Sequence, residues 1–280
     1  MGNHFLENTT MTIQNNAIIG FTAETFIHSG CGQSQGAIDL PFSREKATDY
    51  PYIPGSSLKG AFRDYSENNN LKDKDIGEIF GKSDNAGKLL FSDLRLLLLP
   101  VRSLTTAYKW VTCPHILKRL MRDLQRIDKS VEFSKETYEL TNDKATLFLE
   151  ELSFGKVGDA TIDDPSFNTL KGLCGIIKEK EKIVIISDDN FNWFANNALS
   201  IQARNVLNDN KTSENLWYEE NLPPDTLMYG LLNNRKTDED TVGTIINAID
   251  KNAYIQVGGN ETVGMGWFHM AVFPRKKEGE

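Results

Sequence analysis

A strand–helix–strand pattern occurs near each end of this chain, and this pair of patterns most constrains the fold. At the front, a run rich in β-branched and aromatic residues at 17–27 predicts a strand. Apolar residues at helical spacing over 58–65 then predict a helix, with Ser56 as its cap. The run at 87–100 follows the helix and predicts a buried strand that Pro100 ends.

The same order of elements returns at the back of the chain. A strand is predicted at 227–232, an apolar stripe at 242–249 predicts a helix, and strands follow at 254–257 and 267–273. Together the two patterns predict an α+β protein with a ferredoxin-like, or RRM-like, βαββαβ core. Right-handed crossovers place both helices on one face of the sheet, which leaves the other face or its edge for a ligand.

We expect one domain over residues 1–280. An RRM-like palm comes from 16–100 and 200–275, and an inserted region of helices and strands fills 101–199. A polar stretch at 206–225 interrupts the palm and predicts a protruding β-hairpin, which we call the thumb.

Composition and charge limit the possible functions. With 39% hydrophobic residues the chain can build a core, but it has no apolar run long enough to span a membrane. Its start lacks the features of a secretory signal, so we expect a cytoplasmic protein. The formal net charge of −8 speaks against binding nucleic acid through a global field, so any polyanion must be held locally. Residues 101–130 carry seven basic against two acidic residues, which predicts either a solvated face or a basic groove.

Several common site motifs are absent from the sequence. The GKS triplet at 81–83 lacks the Walker A spacing, and GMG at 264–266 lacks the third glycine of a dinucleotide-binding turn. The four histidines and three cysteines show no zinc-ligand spacing, and we expect the cysteines to be reduced thiols.

Two glycine-bearing elements remain as candidate anion-binding sites. PGSSLKGAFR at 54–63 places hydroxyls and N–H groups at a helix start, with two cations at i and i+4. GGNETVGMG at 258–266 joins two strands with glycines that allow positive φ and close backbone approach. The alternatives are a capped surface helix and a hairpin turn with a bulge. The candidate residues are Ser56, Ser57, Lys59 and Arg63 in the first element and Gly258, Gly259, Gly264 and Gly266 in the second.

Six motifs follow one another between about 21 and 273: HSGCGQSQGAIDLPFSRE, YIPGSSLKGAFR, LLFSDLRLLLLPVRSL, WVTCP, LWYEENLPPDTL and GGNETVGMGW. Together they resemble the RAMP superfamily of CRISPR proteins. More narrowly, they resemble the repeated backbone subunit of type III-B, or Cmr, effector complexes.

The resemblance implies that several copies stack with other Cmr subunits along a guide RNA. Each copy would have an RRM-like palm and a thumb that interrupts pairing between the guide and a target RNA. It also implies that target RNA is cut at regular intervals, for which an aspartate after the first strand is required. Asp39 in GAIDLP matches that aspartate. The guide-contacting positions match the eight candidates in the two glycine-bearing elements, and Arg44 and Arg102 are further matches.

The resemblance suggests a mechanism that leaves the role of Asp39 open. If the thumb splays the target strand, the 2′-hydroxyl beside the displaced nucleotide attacks its own phosphate. Asp39 would either bind a divalent ion, Mg²⁺ or Mn²⁺, or take the 2′ proton. His28, Glu219 and Glu220 are further candidates for an acid or a metal partner.

The predicted function is therefore a guide-dependent endoribonuclease subunit. One alternative is a non-catalytic scaffold subunit that binds guide RNA in the same kind of complex. Another is a nuclease of the same superfamily that processes precursor guide RNA.

Overall fold

The structure is a computed structural model that describes residues 15–34, 36–69, 71, 73–127, 147–154, 164–174, 182–237 and 240–273. Its helices are α1 (Gly55–Asn68), α2 (Asp73–Phe80), α3 (Pro114–Ile127), α4 (Asp164–Cys174), α5 (Asp188–Asn197) and α6 (Thr241–Lys251). Its strands are β1 (Asn16–Ala23), β2 (Tyr52–Ile53), β3 (Gly81–Lys82), β4 (Asn85–Ala86), β5 (Leu89–Phe91), β6 (Leu94–Arg102), β7 (Tyr108–Thr112), β8 (Leu147–Leu149), β9 (Leu152–Phe154), β10 (Ile183–Ile185), β11 (Ser200–Leu207), β12 (Ser213–Asn221), β13 (Leu227–Asn234), β14 (Tyr254–Gln256) and β15 (Trp267–Phe273). None of the described helices is long and apolar enough to cross a membrane.

The centre of the main sheet has the strand order of a ferredoxin-like fold. Strands β6, β13, β1 and β15 lie side by side in that order, and each is antiparallel to its neighbours. Helix α1 lies in the connection from β1 to β6, and α6 lies in the connection from β13 to β15. The predicted α+β fold with a βαββαβ core is therefore confirmed.

Strands from the predicted insertion extend this sheet. Strand β7 pairs antiparallel with β6, and β10 pairs parallel with β7, so both belong to the palm sheet although they come from 101–199. The prediction that Pro100 ends its strand is wrong, because β6 continues to Arg102 and Pro100 pairs with Trp110. Strand β13 pairs with β6 only up to Leu98. Beyond that residue β6 has one partner strand, where a missing N–H is tolerated.

Helices cover both faces of the sheet. Phe21 of β1 meets Phe62 of α1 on one face. On the other face, Tyr229 of β13 donates a hydrogen bond to Asp123 of α3, and α4 packs on β1 and β15. The expectation of a free sheet face is therefore wrong. Strand β1 is buried at every position after Asn16, which is typical of a strand covered on both sides.

The thumb is a separate two-stranded sheet made by β11 and β12. It starts at Ser200 and ends at Asn221, whereas the sequence placed it at 206–225. Most of its residues are exposed along both strands, so no hydrophobic alternation marked where the palm ends and the hairpin begins.

Helix α4 approaches the sheet so closely that Gly20 is required in β1. A Cβ atom added to Gly20 would lie 1.7 Å from the carbonyl oxygen of Leu173. This neighbour is backbone and has no rotamer through which it could move away. The missing side chain of Gly20 therefore fixes how tightly the helix packs on this face.

We predict that Gly20→Ala destabilises the protein by about 3 kcal/mol or more, because the helix must move off the sheet. Gly60→Ala is the matched control, since Gly60 lies in α1 and an added Cβ meets nothing within 4 Å. This control should stabilise the protein by about 0.5–1 kcal/mol through helix propensity. Urea unfolding of both variants measures the difference, and equal stabilities would contradict the prediction.

Candidate functional site

The long loop after β1 meets the base of the thumb at two isolated backbone bridges, one on the free edge of β12 and one just past its end. Leu40 donates its N–H to the carbonyl oxygen of Tyr218 and accepts from the N–H of Glu220, both at 3.0 Å. Ile27 and Leu222 exchange two further backbone hydrogen bonds, also at 3.0 Å. The connection from β1 to β2 is therefore tied to the base of the thumb near its start and near its middle.

Asp39 lies at this junction between loop and thumb. Its Oδ2 accepts a hydrogen bond from the backbone N–H of Tyr218 at 2.8 Å, and its carbonyl oxygen accepts from the N–H of Ser34 at 2.8 Å. The side chain is partly exposed, and among the described residues its Oδ1 has no hydrogen-bond partner. The carboxylate is thus held in one orientation with one oxygen available to a ligand.

Glu220 lies two residues beyond Tyr218 and is 4% exposed. Its Oε1 accepts from the Arg44 guanidinium at 2.7 Å, and its Oε2 accepts from the backbone N–H of Phe42 at 2.9 Å. Arg44 also donates to the carbonyl oxygens of Asp49 and Ala195, each at 2.9 Å. The guanidinium predicted to contact RNA is therefore engaged with three protein groups.

His28 links the loop to the glycine-rich segment 258–266. The ring is 8% exposed, and its Nδ1 lies 3.0 Å from the carbonyl oxygen of Glu220. Its own carbonyl oxygen accepts from the N–H of Gly259 at 2.9 Å. At Gly258, where φ is +100°, an added Cβ would lie 2.3 Å from that same oxygen. Glycine at 258 thus allows the segment to rest directly on His28.

Glu219 joins the thumb to the same segment. The residue is 3% exposed, and its carboxylate accepts from Trp217 Nε1 at 2.8 Å, Arg204 Nε at 3.1 Å and Asn260 Nδ2 at 2.9 Å. Burial by itself would raise the pKa of Glu219. Hydrogen bonds from Trp217 and Arg204, together with the Arg204 charge, outweigh burial and lower the pKa below its usual value.

The structure thus brings the four candidates for catalysis together, but only one of them is accessible. His28, Glu219 and Glu220 are buried and hydrogen-bonded within the protein, whereas the carboxylate of Asp39 is partly exposed. Among the described residues, no cluster of three or more His, Cys, Asp or Glu side chains could hold a metal ion.

The start of α1 differs from the prediction at Ser56. The helix begins at Gly55. Its N-cap residue is Pro54, whose side chain makes no capping hydrogen bond. The N–H of Gly55 donates instead to Asp93 Oδ1 at 2.7 Å. Ser56 therefore lies inside the first turn, and both Ser56 and Ser57 are exposed.

The two predicted cations of α1 do not line the groove beside the glycine-rich segment. Arg63 pairs with Glu67 at 3.2 Å and donates to the carbonyl oxygen of Gly81 at 3.2 Å. The groove between α1 and the segment is lined on the helix side by Ala61, Asp64, Tyr65, Asn68 and Asn69 and opposite them by Gln256, Glu261 and Trp267, among others. The two elements are neighbours, but neither Lys59 nor Arg63 lines the groove that separates them.

The remaining predicted contacts differ in how open their surroundings are. Arg102 is exposed and pairs with Glu150 at 3.2 Å. Gly264 has a φ of +81° and nothing within 4 Å of an added Cβ, whereas at Gly266 an added Cβ would lie 2.6 Å from the carbonyl oxygen of Val257.

The basic stretch 101–130 is partly neutralised inside the protein. Arg119 of α3 donates twice to the Glu45 carboxylate, each time at 2.8 Å. Arg126 and Arg95 both bind Asp123, which is fully buried. Arg119 and Arg95 fasten the helix to the loop and the sheet, whereas Arg126 binds Asp123 within the helix and remains largely exposed.

Three residues that bind Glu219 were not assigned to the site from the sequence. Arg204, Trp217 and Asn260 surround Glu219, although they come from β11, β12 and the glycine-rich segment. The register of the thumb places Arg204 opposite Trp217, so a correct hairpin alignment could have found this pair. Asn260 could be placed only once the fold was known.

Comparison with known proteins agrees with this architecture. The sequence pattern of the RAMP superfamily matches residues 20–269, so the chain belongs to the RAMP superfamily. The chain is 33% identical over 275 residues to the CRISPR system Cmr endoribonuclease Cmr4 of Pyrococcus furiosus, an alignment that covers 89% of this chain and 93% of that protein. The family resemblance inferred from the six motifs is thereby confirmed.

Two solved structures extend the comparison. The crystal structure of oligomeric Cmr4 from Pyrococcus furiosus matches with a TM-score of 0.73 and 29% identity, covering 92% of this chain and 98% of that one. A chain of the type III-B Cmr-beta complex bound to cognate target RNA matches with a TM-score of 0.75, covering 93% of this chain and 98% of that one. Its identity is 22%, so this second match supports the shared fold.

We predict that Glu219→Ala destabilises the protein by about 1–3 kcal/mol, because three donors lose their common acceptor. Glu214→Ala is the matched control, since Glu214 lies on the same strand and is exposed. The pKa of Glu219 is lowered in the fold, so its contribution is complete above the unfolded pKa of about 4.3. The difference between wild type and Glu219→Ala should therefore stay constant from neutral pH to about pH 5 and shrink on further acidification. Thermal unfolding across this pH range measures it, and a difference that grows on acidification would contradict the assignment.

Proposed function

We propose that this chain is a backbone subunit of a type III-B CRISPR effector complex. In this proposal it binds guide RNA and cuts the complementary target RNA inside the assembled complex in the cytoplasm. Its partners are further copies of itself and other Cmr subunits. The relative named as an endoribonuclease, 33% identical over most of the chain, supports the RNA-cleaving activity.

The observation that carries the proposal is the placement of Asp39. A single accessible carboxylate, fixed by the Tyr218 N–H, lies at the base of an exposed hairpin. A nucleic acid strand that the hairpin separates from its partner would pass next to that carboxylate. The location suits chemistry on the strand at the point where pairing is interrupted.

Cleavage then needs little from the protein beyond positioning. When the target strand is splayed, its 2′-oxygen attacks the adjacent phosphorus and the bond from phosphorus to the 5′-oxygen breaks. The departing 5′-oxygen takes a proton from water and leaves as a 5′-hydroxyl. The attacking hydroxyl must lose its proton, and Asp39 Oδ1 is the available acceptor. Asp39 has a second possible role as an ion ligand, and both roles use the same oxygen.

A divalent ion, Mg²⁺ or Mn²⁺, fits this location only in part. Asp39 supplies one carboxylate oxygen, and the described residues contain no cluster that would complete a protein site. Mg²⁺ commonly combines one or two carboxylates with substrate phosphates and water. Asp39 would hold such an ion together with the RNA, and the bound ion would neutralise charge on the phosphate.

We predict that Asp39→Asn reduces target cutting by roughly 10²–10⁴-fold, because the variant loses the carboxylate. Asparagine can still accept the Tyr218 N–H through its amide oxygen, so target binding should be unchanged. Asp209→Asn at the tip of the thumb is the control and should cut normally. The measurement is the cleavage rate of labelled target RNA by the assembled complex with Mg²⁺ or Mn²⁺.

Two outcomes would decide against parts of this proposal. Cutting by Asp39→Asn at the wild-type rate would remove Asp39 from the reaction. A wild-type complex that binds target without shortening it, with either metal present, would favour the non-catalytic scaffold.

Guide binding is the second part of the proposed function. Ser56 and Ser57 are exposed and Lys59 is partly exposed near the start of α1, and a helix start favours an anion. Arg63 shares its charge with Glu67, so we assign the stronger phosphate contact to Lys59.

We predict that Lys59→Ala weakens guide RNA binding to a similar extent for all sequences and lowers the slope of log affinity against log salt by about one. Lys171→Ala on α4 is the control, since this exposed lysine lies on the opposite side of the sheet. Filter binding at several salt concentrations measures the slope. An unchanged slope for Lys59→Ala would exclude this phosphate contact.

A further inference from the structure

Both carboxylate oxygens of Glu220 are occupied by protein groups at the proposed site. Both of its carboxylate oxygens bind groups from the stretch 42–44, namely the Phe42 N–H and the Arg44 guanidinium. With 4% exposure, the carboxylate has little surface left for RNA, water or an ion. These contacts identify what Glu220 holds in place.

Arg44 extends this contact to two other parts of the fold. Its second guanidinium nitrogen donates to the Asp49 carbonyl oxygen in the same loop and to the Ala195 carbonyl oxygen near the end of α5. The guanidinium is largely buried and joins the thumb strand, the loop and a helix. Because arginine is always charged, its burial depends on Glu220 as counter-ion.

Asp39 lies next to this cluster on the same edge of β12. Its side chain accepts the Tyr218 N–H, and the next residue, Leu40, binds β12 through both its N–H and its carbonyl oxygen. The Glu220 carboxylate then fixes Phe42 and Arg44. The stretch 39–44, which we call the Asp39 segment, is thus attached to the thumb strand at each of three successive points.

We propose that Glu220 is a positioning residue that fastens the Asp39 segment to the thumb through Arg44 and the Phe42 N–H. The Asp39 carboxylate and the base of the thumb then keep one fixed relation when RNA is loaded. In this role Glu220 neither donates a proton nor binds an ion. The inference rests on the proposed function of Asp39 and adds the residues that hold it in place.

The test compares Glu220→Gln and Arg44→Met with the wild type, both as the free full-length chain and in the assembled complex. We expect amide hydrogen exchange of peptides spanning 39–44 to become at least 10-fold faster in both variants. We expect the cleavage rate of saturating target to fall at least 10-fold while the target Kd stays within about 2-fold. The double variant should be no worse than the more affected single variant, because the two residues act as one unit.

Controls separate this role from general damage. Glu214→Gln changes an exposed acid on the same strand and should leave exchange and cutting unchanged. Arg44→Lys keeps the charge but loses the planar guanidinium, so its cleavage rate should lie between those of wild type and Arg44→Met. This variant also provides a milder change if Arg44→Met does not fold.

Three results would overturn the inference. If Glu220→Gln slows cutting while exchange of 39–44 and the activity of Arg44→Met are normal, Glu220 acts directly in catalysis. If exchange speeds up but cutting does not change, the position of the segment does not matter for the reaction. If amide exchange of 39–44 is unchanged in both variants, Glu220 and Arg44 do not fasten the Asp39 segment to the thumb.

Asp39→Asn, measured beside these variants, separates the inference from the proposed function. If this variant cuts at the wild-type rate, the proposed role of Asp39 fails. The amide exchange rates of 39–44 in Glu220→Gln then still decide whether Glu220 fastens the Asp39 segment to the thumb.

Discussion

The pairing of the long loop with the edge of β12 is the interaction on which the candidate site depends. Strand β12 is paired with β11 on one side, and without the loop its other edge would expose unpaired N–H and carbonyl groups. The loop binds that edge through Leu40, and Ile27 pairs with Leu222 just past the strand. These contacts bring Asp39 next to Tyr218. A peptide of this length without regular structure would otherwise have no reason to place one carboxylate reproducibly. The backbone ladder supplies this constraint, and side chains such as Glu220 strengthen it.

The acidic residues around this junction differ in role because they differ in burial and partners. Glu219 and Glu220 are neighbours in sequence, yet their side chains bind different structures, namely the glycine-rich segment and the Asp39 segment. Glu219 pairs with Arg204 and Glu220 pairs with Arg44, and each pairing offsets the cost of burying the carboxylate charge. Asp123 follows the same rule on the far face of the sheet with Arg95 and Arg126. Arg44, Arg95 and Arg204 therefore hold different elements of this acidic protein together.

The fold could be predicted from the sequence because its main elements carry strong periodic patterns. The stripes of α1 and α6 and the apolar runs of β1 and β13 were sufficient for the ferredoxin-like order. Pro100 and the supposedly free sheet face were misjudged because both depend on which strands and helices become neighbours. Asp39 was found through family resemblance, and its exposure agrees with that choice. The burial of Glu219 and Glu220 could not be predicted, because a Glu-Glu pair after Trp217 and Tyr218 resembles any solvent-exposed strand end.

The thumb has a consequence for the isolated subunit. Two strands alone make a marginally stable ribbon in water, and here Ile201, Leu207 and Leu216 are more than half exposed. The backbone bonds to the loop secure only the base of this ribbon, so the tip must open and close more readily than the root. In a free subunit the tip of the thumb therefore exposes apolar side chains and unfolds locally. A partner that covers the tip would order it. Assembly into a complex that covers the thumb would then remove a local source of aggregation.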